Sequence, residues 1–297
     1  MESSKTNIRN QTTVTEPLHY MTGSVTSNDG TVIGYRGLGH GPGLVMVHGA
    51  MESIQSHIQL AEALADTFSV YLYDRRGRGL SGPHGKGHSL QKEVEDLEAL
   101  LAKTGTHNIF GVSSGAIISL QAALTLSAVH KVAIFEPPLI SDAWSTAFIE
   151  RYEKEIAEGK VASALVTASK GTQMWGHVLP RWFLVLLTKI MLASEDKNAK
   201  DHSITMRALA PTFHYDAQLV SQTKGALERY KDIRAEIILL GGGKSPAFLK
   251  AALDSLEKVF PHAKRTEFPG LNHGATGNTD RGGQPKLVAQ ELKQFFA

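Results

Sequence analysis

Short apolar runs alternate with amphipathic stretches through the first half of the chain. GLVMVHG (43–49), FSVYLYD (68–74), NIFGV (108–112) and KVAIFE (131–136) are nearly continuous apolar runs. Such runs suit strands buried on both faces of a parallel sheet. Between them SIQSHIQLAEALAD (53–66), VEDLEALLAK (94–103) and AIISLQAALTL (116–126) carry helical periodicity. Ahead of them GSVTSNDGTVIGYRGLG (23–39) predicts a hairpin turning at Asn28-Asp29-Gly30. From about residue 141 to about 213 the apolar spacing is helical only, in roughly three or four segments. Alternation returns with RAEIILL (234–240), PAFLKAALDSLEKVF (246–260), RTEFPG (265–270) and QPKLVAQELKQFF (284–296).

This order predicts an α/β fold, a mostly parallel central sheet flanked by helices, over residues 18–140 and 214–297. A helical cap over 141–213 interrupts it. Ligands of such folds bind beyond the carboxyl ends of the strands, so a cap that leaves from a strand's carboxyl end is expected over the site. Residues 1–17 are polar and are expected to form a mobile tail; they lack the apolar core of a secretory signal.

Composition narrows the function classes. The chain of 297 residues is 42% hydrophobic and 20% charged, with a formal net charge of +2. Its Lys and Arg are dispersed, unlike the basic stripe of a nucleic-acid binder. With no cysteine, disulfides, thiolate metal sites and a Cys nucleophile are excluded, and a reducing, cytoplasmic setting is expected. The most apolar helical stretch, WFLVLLTKIMLA (182–193), is interrupted by Lys189 and too short to span a bilayer. The expected partner is a small molecule, without a cofactor or metal.

Residues 108–120 read NIFGVSSGAIISL, in which Gly111, Ser113 and Gly115 match the G-x-S-x-G pattern. A predicted strand precedes the pattern and a predicted helix follows. Small residues two before and two after the serine let strand and helix approach, and leave one hydroxyl at the tip of a sharp, strained turn. The following helix directs its N-terminus at that point, favouring negative charge. Ser114 is a rival nucleophile, but Val112 and Ala116 stand where glycines belong, so Ser113 is preferred. The backbone N–H of Ser114 is an available oxyanion donor.

With VMVHGAMES (45–53), GVSSG (111–115) and GLNHG (270–274) in this order, the chain resembles the α/β-hydrolase superfamily in its serine-nucleophile branch. YDRRGRGLSG (73–82) resembles that family's loop after the strand that follows HG. The resemblance covers roughly residues 23–140 and 210–297, and the helical insert falls where the family carries its variable cap. It implies an oxyanion loop at His48-Gly49-Ala50, with Ala50 as the second N–H donor and Met51 as the fallback. It implies His273 as the base, and gives His48 the part of a hydrogen bonder shaping the loop. His84 and His88 could form a metal pair, but no acidic or Cys ligand accompanies them.

The acid is the difficult position. EIILLGGGKSPAFL (236–249) is where many relatives would carry it, and this loop holds no carboxylate. Ser245-Pro246 reads instead as a helix N-cap and first-turn pair. An acid must sit at the same end of the sheet as Ser113 and His273. Asp232 falls at the wrong end, Asp254 on a solvated helix face, and Asp74 in the turn to Arg78. Asp142 and Asp216 remain possible, Asp216 as the reserve. Glu136 ends the strand after the nucleophile helix, and AIFEPP looks similar to relatives, such as haloalkane dehalogenases, that carry the acid there.

The expected activity is therefore a Ser113–His273–Glu136 hydrolase of a carboxylic ester, thioester or lactone. The alternatives are carbon–carbon bond hydrolysis, a cofactor-free lyase or cyclase step, or non-catalytic binding of a small molecule. Trp175, Trp182, Phe183 and Met51 are expected to face an apolar, medium-sized substrate.

Overall fold

The apolar runs become the strands of one sheet. A computed structural model describes residues 20–139, 147–174, 179–199 and 204–297. The expected tail at 1–17 and the candidates Trp175 and Asp142 lie outside the described residues. The strands are β1 (Met21–Thr26), β2 (Val32–Leu38), β3 (Gly43–Val47), β4 (Ser69–Tyr73), β5 (Asn108–Val112), β6 (Lys131–Phe135), β7 (Glu236–Gly242) and β8 (Lys264–Phe268). Among the described residues they form an eight-stranded sheet in the order β1-β2-β4-β3-β5-β6-β7-β8. β1 pairs antiparallel with β2, and β2 antiparallel with β4; from β4 to β8 every pairing is parallel.

The helices that flank this sheet are α1 (Ile58–Leu64), α2 (Leu90–Thr104), α3 (Ser114–Thr125), α9 (Ala247–Val259) and α10 (Pro285–Phe296). Between β6 and β7 run α4 (Ala147–Ala157), α5 (Val161–Gly171), α6 (Arg181–Asn198), α7 (Met206–Leu209) and α8 (Phe213–Ser221). The period of two along β3 shows why both faces are covered. Val45 and Val47 join the core under α2 and α3, while Leu44 and Met46 join the core under α1 and α10.

Three local differences from the sequence pattern have physical reasons. Helix α2 starts at Leu90, because Ser89 accepts the Lys92 N–H and caps it earlier than the apolar period shows. Helical structure runs on past residue 213 to Ser221, since α8 packs on α3. Ser245 is not a helix cap: α9 begins at Ala247 with Pro246 in the cap position, and the buried Ser245 hydroxyl has no partner among the described residues.

In α6, Leu184, Thr188 and Leu192 face inward. Trp182, Leu186 and Ile190 are exposed on the opposite side, and Met191 is exposed at the flank of the inward face. Among the described residues, no helix is long and apolar enough to cross a membrane.

Candidate active site

Register brings the chemistry together. Val112 on β5 lies beside Phe135 on β6, and Phe135 beside Leu240 on β7. The residues that follow these three positions, Ser113, Glu136 and Gly241, therefore lie side by side, the first two leaving the sheet and Gly241 continuing β7. Ser113 donates its N–H to Phe135 O at 2.9 Å, and Glu136 donates its N–H to Leu240 O at 3.1 Å, so the ladder continues into the site.

Ser113 has φ 54° and ψ −121°, the strained turn that the glycine pattern implies. The glycines are there for space. A Cβ at Gly111 would lie 2.6 Å from Gly115 O, and one at Gly115 would lie 2.2 Å from Val47 O. The N–H of Ser114 opens α3 and has no intrahelical acceptor, which leaves it free for a ligand. The Ser114 hydroxyl, in contrast, is spent: it donates to Asp216 Oδ1 at 2.9 Å and accepts from Arg75 Nη1 at 3.0 Å.

Glu136 is fully buried. Its Oε2 lies 2.7 Å from His273 Nδ1, and its Oε1 accepts the Gly242 N–H at 2.6 Å. The carboxyl end of β7 thus supplies a backbone donor to Glu136 rather than a carboxylate of its own. A Cβ on Gly242 would come within 2.6 Å of Leu271 O, so this residue also admits the His273 loop. Ser113 and His273 line one cavity of about 530 Å³, with no hydrogen bond between them. Such bonds are often long before substrate is bound.

Ala50 and Met51 line the same cavity. Met51 has φ 53° and Glu136 φ 47°. Among the described residues, non-glycine positive φ occurs at Met51, Ser113, Glu136 and Gln173. Three of these four positions belong to this one site, and strained backbone concentrates where geometry is over-determined.

The loop at His48-Gly49-Ala50 is braced from two sides. His48 Nε2 accepts the Arg75 N–H at 3.2 Å, and its Nδ1 lies 3.0 Å from Gly49 O. Burial, reinforced by the charges of Arg78 and Arg75, brings the His48 pKa down to about 3, so this ring is neutral. On the other side, Glu52 Oε2 accepts the Gly49 N–H at 2.6 Å and lies 2.9 Å from His57 Nε2. His57 Nδ1 is 3.0 Å from Thr276 O, so both ring nitrogens face acceptors. Burial opposes the charge on each partner. Their mutual attraction outweighs it, raising the pKa of His57 and lowering that of Glu52.

Asp216, the reserve acid, is held elsewhere. It pairs with Arg75 at 2.8 Å and with Arg78, and both arginines are buried. Burial pushes its carboxyl up, and the two guanidiniums outweigh this and hold it below the ordinary value. Arg75 also forks onto Glu93 of α2 at 3.0 and 2.8 Å. This buried network ties α2, the start of α3 and α8 together. The sequence pattern missed it; the only signal was the three arginines of RRGR after β4.

The expected aromatic wall differs from the observed one. Trp182 is 70% exposed and, like Phe183, is absent from the cavity lining, because α6 turns Leu184 rather than these rings inward. Phe148, Phe213 and Phe248 line the cavity with Met51. His84 stacks on Tyr215 and His88 bonds Glu93 at 3.0 Å. Among the described residues no cluster of three or more His, Asp or Glu could hold a metal ion.

Comparison with known proteins agrees with this architecture. The model of the alpha/beta hydrolase family matches residues 44–291, and the chain belongs to that family. An uncharacterized hydrolase, YraK, of Bacillus subtilis is 32% identical over 127 residues, 39% of this chain and 47% of its own length. A non-heme haloperoxidase of Rhodococcus erythropolis is 33% identical over 89 residues, 30% of this chain and 32% of its own. The chain therefore spans less than half the length of these two curated relatives. An alpha/beta hydrolase structure from Sphaerobacter thermophilus superposes with a TM-score of 0.76 at 29% identity, covering 93% of this chain and all of that one.

Proposed function

We propose that the protein is a serine hydrolase acting on a carboxylic ester, thioester or lactone of a largely apolar small molecule. The observation that carries this reading is the 2.7 Å contact between His273 Nδ1 and the buried Glu136 carboxylate, on the wall of the cavity that also receives Ser113. In this mechanism Ser113 Oγ attacks the carbonyl carbon while His273 Nε2 takes its proton. Glu136 holds the imidazole with its proton on Nδ1 and stabilises the imidazolium. The N–H groups of Ser114 and Ala50, with Met51 as the alternative donor, face the developing oxyanion. His273 returns the proton to the leaving alcohol, and water then releases the acyl group from Ser113 by the same route.

Non-catalytic binding drew its support from the missing carboxylate after Leu240, and the Glu136–His273 contact withdraws it. Labelling by a fluorophosphonate probe tests the proposal. Labelling of the wild type but not of Ser113→Ala, with turnover of simple aryl esters, supports it; an unlabelled, inert wild type refutes it. Labelling without aryl-ester turnover would direct attention to carbon–carbon bond hydrolysis on the same residues.

A further inference from the structure

The charged groups of the cavity do not balance. Its lining includes Glu52, Asp216, Lys244 and Arg281. Both acids are already answered: Glu52 by its contact with His57, and Asp216 by Arg75 and Arg78. The cations are not. Lys244 is exposed, and among the described residues it has no ion pair. Among the described residues Arg281 pairs with Glu195 alone, at a loose 3.8 Å and with 42% of its side chain exposed.

Both cations are carried on anchored backbone. Lys244 N–H donates to Leu271 O at 2.7 Å, and Gly243 N–H to Phe268 O at 3.0 Å. Arg281 N–H donates to Asn278 O at 3.0 Å, and Asn278 is bound to Gln55 O at 2.7 Å and to Ser56 O at 3.2 Å. The rest of the wall is mostly apolar, with Phe148, Met174, Phe213 and Phe248. A neutral apolar ester would leave Lys244 unpaired and Arg281 with its loose Glu195 contact alone. An ester with a carboxylate at one end would satisfy both.

Resting on the hydrolase reading, we propose that the substrate is an ester with an apolar body and a free carboxylate, and that Lys244 and Arg281 receive that carboxylate. Arg281 offers a planar fork and Lys244 a mobile point charge, a pairing suited to an anion whose exact position varies with chain length. The loop after β7, free of the acid that Glu136 supplies from β6, here contributes substrate charge recognition.

The test compares monoethyl adipate with ethyl hexanoate, an ester pair matched in acyl chain length and differing in the carboxylate. The ratio of their kcat/KM values is measured in the wild type, Lys244→Gln, Lys244→Glu and Arg281→Gln, with thermal melts to verify folding. The wild type is expected to favour the hemiester by roughly tenfold, the weight of one charge-assisted hydrogen bond. Each Gln variant is expected to cut that ratio severalfold, and Lys244→Glu to bring it below one. A wild-type ratio at or below one, or a ratio unmoved by all three substitutions, overturns the proposal. A second arm separates it from the hydrolase reading: adipate binding to Ser113→Ala by calorimetry. Binding weakened severalfold by added Lys244→Gln supports the anion site even if neither ester is cleaved. Binding absent, or indifferent to Lys244, counts against the site even in an active enzyme.

Discussion

Replacing Glu136 by Gln separates the proposed relay from the structure around it. The substitution preserves shape. A glutamine carbonyl can still accept the Gly242 N–H now held at 2.6 Å, and its amide then points at His273 Nδ1, 2.7 Å from the present Oε2. An amide donates where the carboxylate accepted. Nδ1 must then give up its proton and Nε2 must carry one, which bars His273 from taking the Ser113 proton. Loss of the correct tautomer in an otherwise intact triad lowers kcat by about 10⁴ in the best-characterised case. A fall of about 10³–10⁴ is expected here, equal to about 4–5.5 kcal/mol of barrier. Stability should change far less, since the fold keeps the Gly242 bond and the side chain keeps its shape. The assay is kcat on a responsive ester beside a thermal melt. A Glu136→Gln enzyme within tenfold of wild-type kcat, with Ser113→Ala inactive, would refute the assignment of Glu136 as the acid.

Asp216→Asn should show the opposite profile. It leaves buried Arg75 and Arg78 short of a counter-charge, so a loss of about 3–5 kcal/mol is expected in denaturant unfolding. Gly115→Ala pushes a Cβ to 2.2 Å from Val47 O, which is backbone and cannot swing away; a melting temperature within a degree or two of wild type would contradict this. The Glu52–His57 pair predicts a pH window. The depressed Glu52 pKa stabilises the fold above its ordinary value of 4.5 and is lost only as pH falls through the lowered one. The raised His57 pKa stabilises fully below 6.5 and is lost as pH climbs through the raised value. The melting-temperature gap between wild type and Glu52→Gln should thus be flat from 4.5 to 6.5 and shrink in more alkaline buffer, and a gap that widens there would exclude the pair.

The sheet was legible because buried parallel strands write themselves as unbroken apolar runs, as in NIFGV and EIILL. The sharp turn at Ser113 was legible because close approach of β5 to α3 demands glycine at 111 and 115. Glu136 could be reached by asking which carboxylate leaves the sheet beside Ser113. The cavity wall was not legible: a helix carrying Trp182, Phe183 and Leu184 in succession does not declare which side meets the core, and Leu184 does. Nor were the partners of Arg75, since Glu93 and Asp216 come from separate elements and only the folded chain brings them to one guanidinium.

Met51, Ser113 and Glu136 share a further consequence. Each holds a side chain in backbone territory that favours glycine, at about 1–3 kcal/mol apiece. Glycine at 136 would relax the chain and delete the carboxylate, and glycine at 113 would delete the hydroxyl. These residues therefore set a ceiling on how stable this fold can become while it keeps its site. Anyone engineering a hardier variant must find the gains in the sheet, the helix caps or the helices between β6 and β7, and leave these three under tension.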